Sequence, residues 1–172
     1  MKIKIFALTH KKFEVPQDKM YQPLQVGREE KEDLGYLCDN TGDNISAENC
    51  YYSELTGLYW IWKNVHTYKY VGTCHYRRYL LNEQEKIFTE AEYLKLLKDY
   101  DLITTKRVVL NNSYHYGFAT NHNIHALDMT GEVIKELYPE YYDTFVQLVN
   151  GTETYFGTVS YTHLRAHETS LH

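Results

Sequence analysis

Two periodicities alternate along this chain, and that alternation constrains the fold more than any other feature. Lys2–Leu8 reads as a strand, with Ile3, Ile5 and Phe6 between charges, and it stops at a polar Thr9-His10. From Ser46 onward, Cys50, Tyr51, Leu55, Leu58, Tyr59 and Trp62 recur at three- and four-residue steps, the spacing of one buried helix face with Ser46 at its cap. Lys69–Cys74 returns to strand type through Tyr70 and Val71 and runs into His75-Tyr76-Arg77-Arg78-Tyr79. A second helix is expected over Glu90–Tyr100, where Thr89 and Glu92 have capping-box spacing. Asp101–Thr105 and Arg107–Leu110 read as strands, and Ala119–Val149 as two or three helical pieces with Pro139 at a helix start. Strands alternating with helices predict a layered α/β domain.

Residues 11–45 carry Pro16, Pro23, Gly27, Gly35 and Gly42 and little periodicity, so they read as a long loop. Tyr21, Leu24, Val26, Leu34, Tyr36 and Leu37 predict that it is ordered, and ordered loops of this length are commonly functional. At 172 residues, 43% hydrophobic and 24% charged, the chain can bury one core, and the composition excludes collagen, coiled coil and wholesale disorder. Its 18 tyrosines supply flat rings with a polar handle, suited to gripping a sugar or a base as well as to a core.

A net charge of −5 argues against a general affinity for nucleic acid. Cys38, Cys50 and Cys74 form neither a disulfide framework nor a metal knuckle, which points to a reducing cytoplasm. The apolar core of the N-terminus, Ile5–Leu8, is too short for a signal peptide, and no apolar run is long enough to span a bilayer. The last residues, Thr158–His172, show no periodicity and resemble translated sequencing-adapter read-through. They are expected to be a non-native, disordered tail behind a domain at 1–157, whose natural chain continues beyond residue 157.

Basic character is concentrated between Glu54 and Glu83, where no acid interrupts Lys63, Lys69, Arg77 and Arg78. Arginine forks at the end of a strand face the crevice where open α/β sheets bind ligands, so an anion is the expected partner; one Arg paired to a structural carboxylate is the bland alternative. Asp39-Asn40-Thr41-Gly42-Asp43-Asn44-Ile45-Ser46 gathers short polar side chains before a helix N-terminus, a place for an anionic or hydroxyl-rich ligand or simply a capped turn. Its spacing fails as a calcium loop. Asp99-Tyr100-Asp101 is a literal DxD, but it joins a helix end to a strand start and is expected to hold no metal. His122, His125 and Asp128 share a helical face without a fourth ligand, a weak zinc candidate. No nucleophile elbow, P-loop or dinucleotide fingerprint occurs.

Three blocks, DNTGDNIS at Asp39–Ser46, ELTGLYWIWKN at Glu54–Asn64 and VGTCHYRRYL at Val71–Leu80, together resemble bacterial capsular and exopolysaccharide biosynthesis proteins. This is a glycosyltransferase-like family of the domain-of-unknown-function 4422 type, marked by the His-Tyr-Arg-Arg-Tyr motif. The resemblance extends from the opening IFALTHKKF to YPEYYDTF; the Asn-Met block expected after residue 156 is absent. It implies a GT-A-like, Rossmann-like fold, a mixed or parallel sheet flanked by helices and incomplete at its C-terminus. It further implies transfer of a sugar from a nucleoside diphosphate sugar, expected to be a UDP-sugar, to a glycan or lipid-linked acceptor. The setting would be the cytoplasm or the inner face of the membrane, with peripheral membrane association.

By motif position, Asp39, Asp43 and His75 are the candidate catalytic groups. His10, Asn44, Ser46, Lys63, Arg77 and Arg78 are the candidate donor and phosphate ligands, aided or not by Mn²⁺ or Mg²⁺; no organic cofactor is expected. Trp60 and Trp62 are expected in the core, with Glu54 and Lys63 supporting the arginines. The alternative is a non-catalytic nucleotide- or glycan-binding module.

Overall fold

In the computed structural model, residues 2–154 and 160–164 are described, residue 30 and residues 160–164 as backbone alone. The elements run β1 (Ile3–Thr9), β2 (Tyr21–Gln25), β3 (Leu37–Cys38), α1 (Asn49–Tyr52), α2 (Leu55–Asn64), β4 (Tyr70–His75) and α3 (Glu90–Leu96). They continue through β5 (Val108–Val109), α4 (Tyr114–Asn121), α5 (Ile124–Leu137), α6 (Tyr142–Asn150), β6 (Glu153–Thr154) and β7 (Ser160–Leu164). The chain divides into two compact units, Met1–Thr105 with Gly157–His172, and Lys106–Phe156.

The first unit is an α/β sheet in the order β3-β2-β1-β4-β7, in which β3, β2, β1 and β4 are mutually parallel. Strand alternation in β1 splits the core in two. Ile3, Ile5 and Ala7 join Met20, Tyr21, Tyr70, Cys74 and the α3-side residues Tyr93 and Leu97. Phe6 and Leu8 face the other way and join Leu24, Val26 and, from α2, Trp60 and Ile61. Gly57 is where α2 touches the sheet: an added Cβ would lie 2.7 Å from Val26 Cγ1 and 2.9 Å from Leu8 Cδ2. Across the sheet, Thr89 and Glu92 close the capping box foreseen for α3.

Residues 11–45 are more regular than a long loop, since they contain β2 and β3. Pro23 hides β2 from a propensity reading, because proline removes a ladder donor. Gln25 gives its carbonyl to Asp39 N at 3.0 Å, so Pro23, two residues earlier, faces the same side. There β3 is only two residues long and pairs from Leu24 onward, so the proline costs no ladder bond.

The helix expected from Ser46 is broken into a 3₁₀ turn, α1 and α2, with Ser53 at φ 49° between the helices. Trp60 is buried as expected, but Trp62 is 65% exposed, because the face of α2 that meets the sheet carries Gly57, Trp60 and Ile61. Within the segment expected to be a tail, Ser160–Leu164 pairs antiparallel with Tyr70–Cys74 of β4. The open edge of β4 offers unpaired backbone groups that any extended segment can meet. Residues 158–159 and 165–172 lie outside the described residues.

In the second unit, Ser113 and Asn123 cap α4 and α5 by accepting from Tyr116 N and His125 N. Gly131 lets α5 approach Phe145 of α6, and β5 pairs antiparallel with β6. Of the two strands expected over 101–110, only β5 forms. Among the described residues no helix is long and apolar enough to cross a membrane.

Candidate functional site

Strand order decides where a ligand can sit. The chain places β2 and β3 on one side of β1 and then crosses to β4 on the other, so the switch in direction falls between β1 and β4. Ligands of open α/β sheets bind beyond the carboxyl ends of strands at such a point. Here those ends carry Thr9-His10-Lys11 and His75-Tyr76-Arg77-Arg78.

Tyr76 organises this edge. Its backbone N–H donates to Leu8 O at 3.1 Å, tying the exit of β4 to β1. Its ring is buried and meets four side chains: His10 edge-on at 5.6 Å, Phe13 at 5.6 Å, His75 at 4.4 Å and the Arg77 guanidinium at 5.1 Å. The exposed His10 is held below the usual histidine range, first by partial burial and then by the charges of Lys11, Lys31 and Arg77. The charges of Lys11, Lys31 and Arg77 all act on this one imidazole, in a chain of net charge −5.

His75 sits at the start of a tight turn, with its carbonyl accepting from Arg78 N at 2.9 Å. The Arg77 backbone N–H donates to His75 Nδ1 at 3.2 Å, so the ring hydrogen belongs on Nε2, which lies 3.6 Å from Glu54 Oε1. Burial, then Arg77, Arg78 and His10, lower the His75 pKa, so the ring is neutral at pH 7. The 3.6 Å approach is therefore that of a neutral imidazole to a carboxyl group. Glu54 is half-buried, and burial raises its pKa while Arg78 pulls it down.

Asp39, at the end of β3, is fully buried, and each of its oxygens accepts twice. Oδ2 takes Gly27 N at 2.8 Å and Thr56 Oγ1 at 2.7 Å; Oδ1 takes Arg28 N at 3.1 Å and Ser46 Oγ at 2.6 Å. One carboxylate thus binds the exit of β2, the 3₁₀ turn and the first turn of α2.

The sequence pattern described as a domain of unknown function (DUF4422) matches residues 4–167, nearly the whole chain. The chain belongs to the DUF4422 family. Its structure is similar to the solved apo structure of WbbM, a bifunctional glycosyltransferase, with 27% sequence identity and a TM-score of 0.81. The match covers 95% of this chain and 34% of that one, so this DUF4422 domain spans about a third of the WbbM chain. No curated protein matches the sequence.

Of the residues singled out in the sequence, the DUF4422 domain brings His10, His75, Arg77 and Arg78 to the β1/β4 crevice. Asp39, expected as a catalytic group, and Ser46, expected as a donor ligand, lie together in the buried cluster, where the carboxylate oxygens accept from Gly27, Arg28, Ser46 and Thr56. Asn44 closes its own turn, accepting from Ser46 N and donating to Gly42 O. Asp43 accepts from Tyr59 Oη at 3.0 Å and lies 4.0 Å from Lys63 Nζ, which stacks 3.8 Å over Trp62. Asn64 latches that loop by donating to Asp43 O and accepting from Asp43 N. Asp43 and Lys63 therefore belong to the last turns of α2, about 13 Å along the helix from Glu54.

Glu54, expected to support the arginines, also approaches His75 at 3.6 Å, and the charges of Lys11 and Lys31, which the sequence reading left without a role, act on His10. Lys11 and Lys31 both lie outside the acid-free window between Glu54 and Glu83, which pointed only to Arg77 and Arg78 at this edge. Asp99 and Asp101 are exposed beyond α3, and His115 Nε2 approaches Asp128 at 3.9 Å without His122 or His125 joining them. Among the described residues no three His, Cys, Asp or Glu side chains converge.

Proposed function

We propose that this domain binds a nucleoside diphosphate sugar, with UDP-sugars the first candidates, and transfers the sugar to a glycan or lipid-linked hydroxyl in polysaccharide assembly. The observation that carries the reading is Arg77, whose guanidinium lies 5.1 Å from the Tyr76 ring that also meets His10, at the switch point between β1 and β4. When the sugar leaves, charge grows on the β-phosphate, and fixed cations beside it lower the barrier without reorganising. Arg77, resting on the Tyr76 ring, is held ready for a phosphate fork, and Arg78 leaves the same turn. The similarity to WbbM supports transfer chemistry on this fold.

Thermal-shift titration of the 172-residue chain with UDP, GDP, dTDP and UDP-hexoses tests this. A saturable shift with one nucleotide class is expected, reduced at least tenfold in apparent affinity by Arg77→Ala and by Arg78→Ala in folded protein. Undiminished binding in both variants overturns it.

A second reading, a module that binds nucleotide without turnover, is favoured by the engagement of Asp39 and Asp43 with the chain itself. Release of UDP from a UDP-hexose by the wild-type chain excludes it.

A further inference from the structure

Transfer needs a group to take the proton of the attacking hydroxyl, and neither carboxylate of the Asp39–Ser46 block is placed to do so. Asp39 is saturated by four donors in the interior, and Asp43 is held by Tyr59 and Lys63 near the far end of α2. His75 has no free lone pair either: Arg77 N–H occupies Nδ1, and Nε2 carries the hydrogen.

We infer that Glu54 is the general base of this domain, oriented by the Nε2–H of His75; the inference rests on the transfer reading above. Register places the pair. His75 is opposite Leu8 in the β1–β4 ladder, and Leu8 faces the α2 side of the sheet, so His75 projects toward the start of α2, where Glu54 stands. Glu54 Oε1 is 3.6 Å from His75 Nε2, and its side chain keeps 40% of its exposure, enough for a substrate hydroxyl to reach the other oxygen. Catalytic hydrogen bonds that are long without ligand tighten when the substrate excludes water.

The backbone around Glu54 is fixed. Its carbonyl accepts from Gly57 N at 3.1 Å and Leu58 N at 3.3 Å, and the next turn is anchored by Thr56 Oγ1 on Asp39. Burial raises the Glu54 pKa and Arg78 opposes that shift, while burial pushes the Cys74 thiol up to about 12.

In the step, the acceptor oxygen forms a bond to the anomeric carbon as the bond from that carbon to the β-phosphate oxygen breaks. The electron pair leaves with the diphosphate beside the cations, and the hydroxyl proton passes to Glu54. This is a single displacement, so the anomeric configuration inverts.

The experiment uses the 172-residue chain, Glu54→Gln, Glu54→Asp and a panel of UDP-hexoses, with water as acceptor. UDP release, UDP affinity by calorimetry and the pH–rate profile are read for each. Glu54→Gln is expected to slow release about 100-fold or more while UDP affinity stays within about threefold, because base catalysis contributes that order. Glu54→Asp should recover part of the rate, and the fall in rate at low pH should vanish in Glu54→Gln. Release by the wild type with Glu54→Gln within threefold of it overturns the role of Glu54 alone. So does a parallel loss of UDP affinity, which would make Glu54 a support for Arg78. A wild type that binds UDP and releases none overturns both the base and the transfer reading and leaves the diphosphate site standing; a wild type that binds no nucleotide overturns all three.

Discussion

At the residue scale, Asp39 and Glu54 differ in access: Asp39 is fully buried, whereas the Glu54 side chain keeps 40% of its exposure. Asp39 stands in a polar block beside a helix start, which looks catalytic, yet its four donors make it a structural knot. Replacing it with Ala strands the Ser46 hydroxyl and the Gly27 N–H in the interior. Each orphaned buried donor costs about 1–3 kcal/mol, so Asp39→Ala is expected to lower unfolding free energy by about 3 kcal/mol or more in urea melts. A loss of activity at unchanged stability would instead restore it to the catalytic group. The block Asp39–Ser46 was legible as important; which of its side chains face solvent was not, because hydrogen-bond partners at Gly27 and Thr56 lie on other elements.

At the element scale, β1, β4 and the apolar side of α2 follow from local pattern, because each has one face that must be buried. β2 and the break at Ser53 do not. Pro23 is compatible with a strand only because β3 is short, and Ser53 adopts φ 49° where Asn49 donates to its carbonyl at 2.6 Å. Packing of α2 on the sheet turns on Gly57, where even a methyl group must displace Val26 Cγ1 and Leu8 Cδ2. Gly57→Ala improves helix propensity by about 1 kcal/mol but overpacks a close-packed contact at a cost of about 1–3 kcal/mol. A net lowering of the thermal midpoint is expected; a rise would show that the sheet yields at this contact.

At the scale of the whole molecule, titratable groups limit stability at both ends of the pH range. His10 and His75 have lowered pKa values in the folded chain, so the unfolded chain binds more protons below its own histidine pKa of about 6.5. Their contribution is complete above that pH and is lost as pH falls through the folded values. Burial raises the Cys74 thiol to about 12 and pushes Tyr21 and Tyr79 up as well. These contributions are complete below the unfolded pKa values and are lost as pH rises above about 9. The thermal midpoint is therefore expected to peak between about pH 7 and 9. Replacing both histidines with Gln should flatten the acid limb; an unchanged limb would place its cause in other groups.

The sequence by itself determined the layered α/β class, the first strand, the capped third helix and the two arginines of the crevice, because strand alternation, helical spacing and capping are local properties. The His-Tyr-Arg-Arg-Tyr motif and its companion blocks carried the family as well. Only the tertiary structure decided that β2 and β3 lie on one side of β1 and β4 on the other. That order brings His10, Tyr76 and Arg77 together at one edge and sets Glu54 beside His75. The physical reason is that electrostatic fields and hydrogen bonds act through distances between elements, and these exist only once the strands have chosen their neighbours.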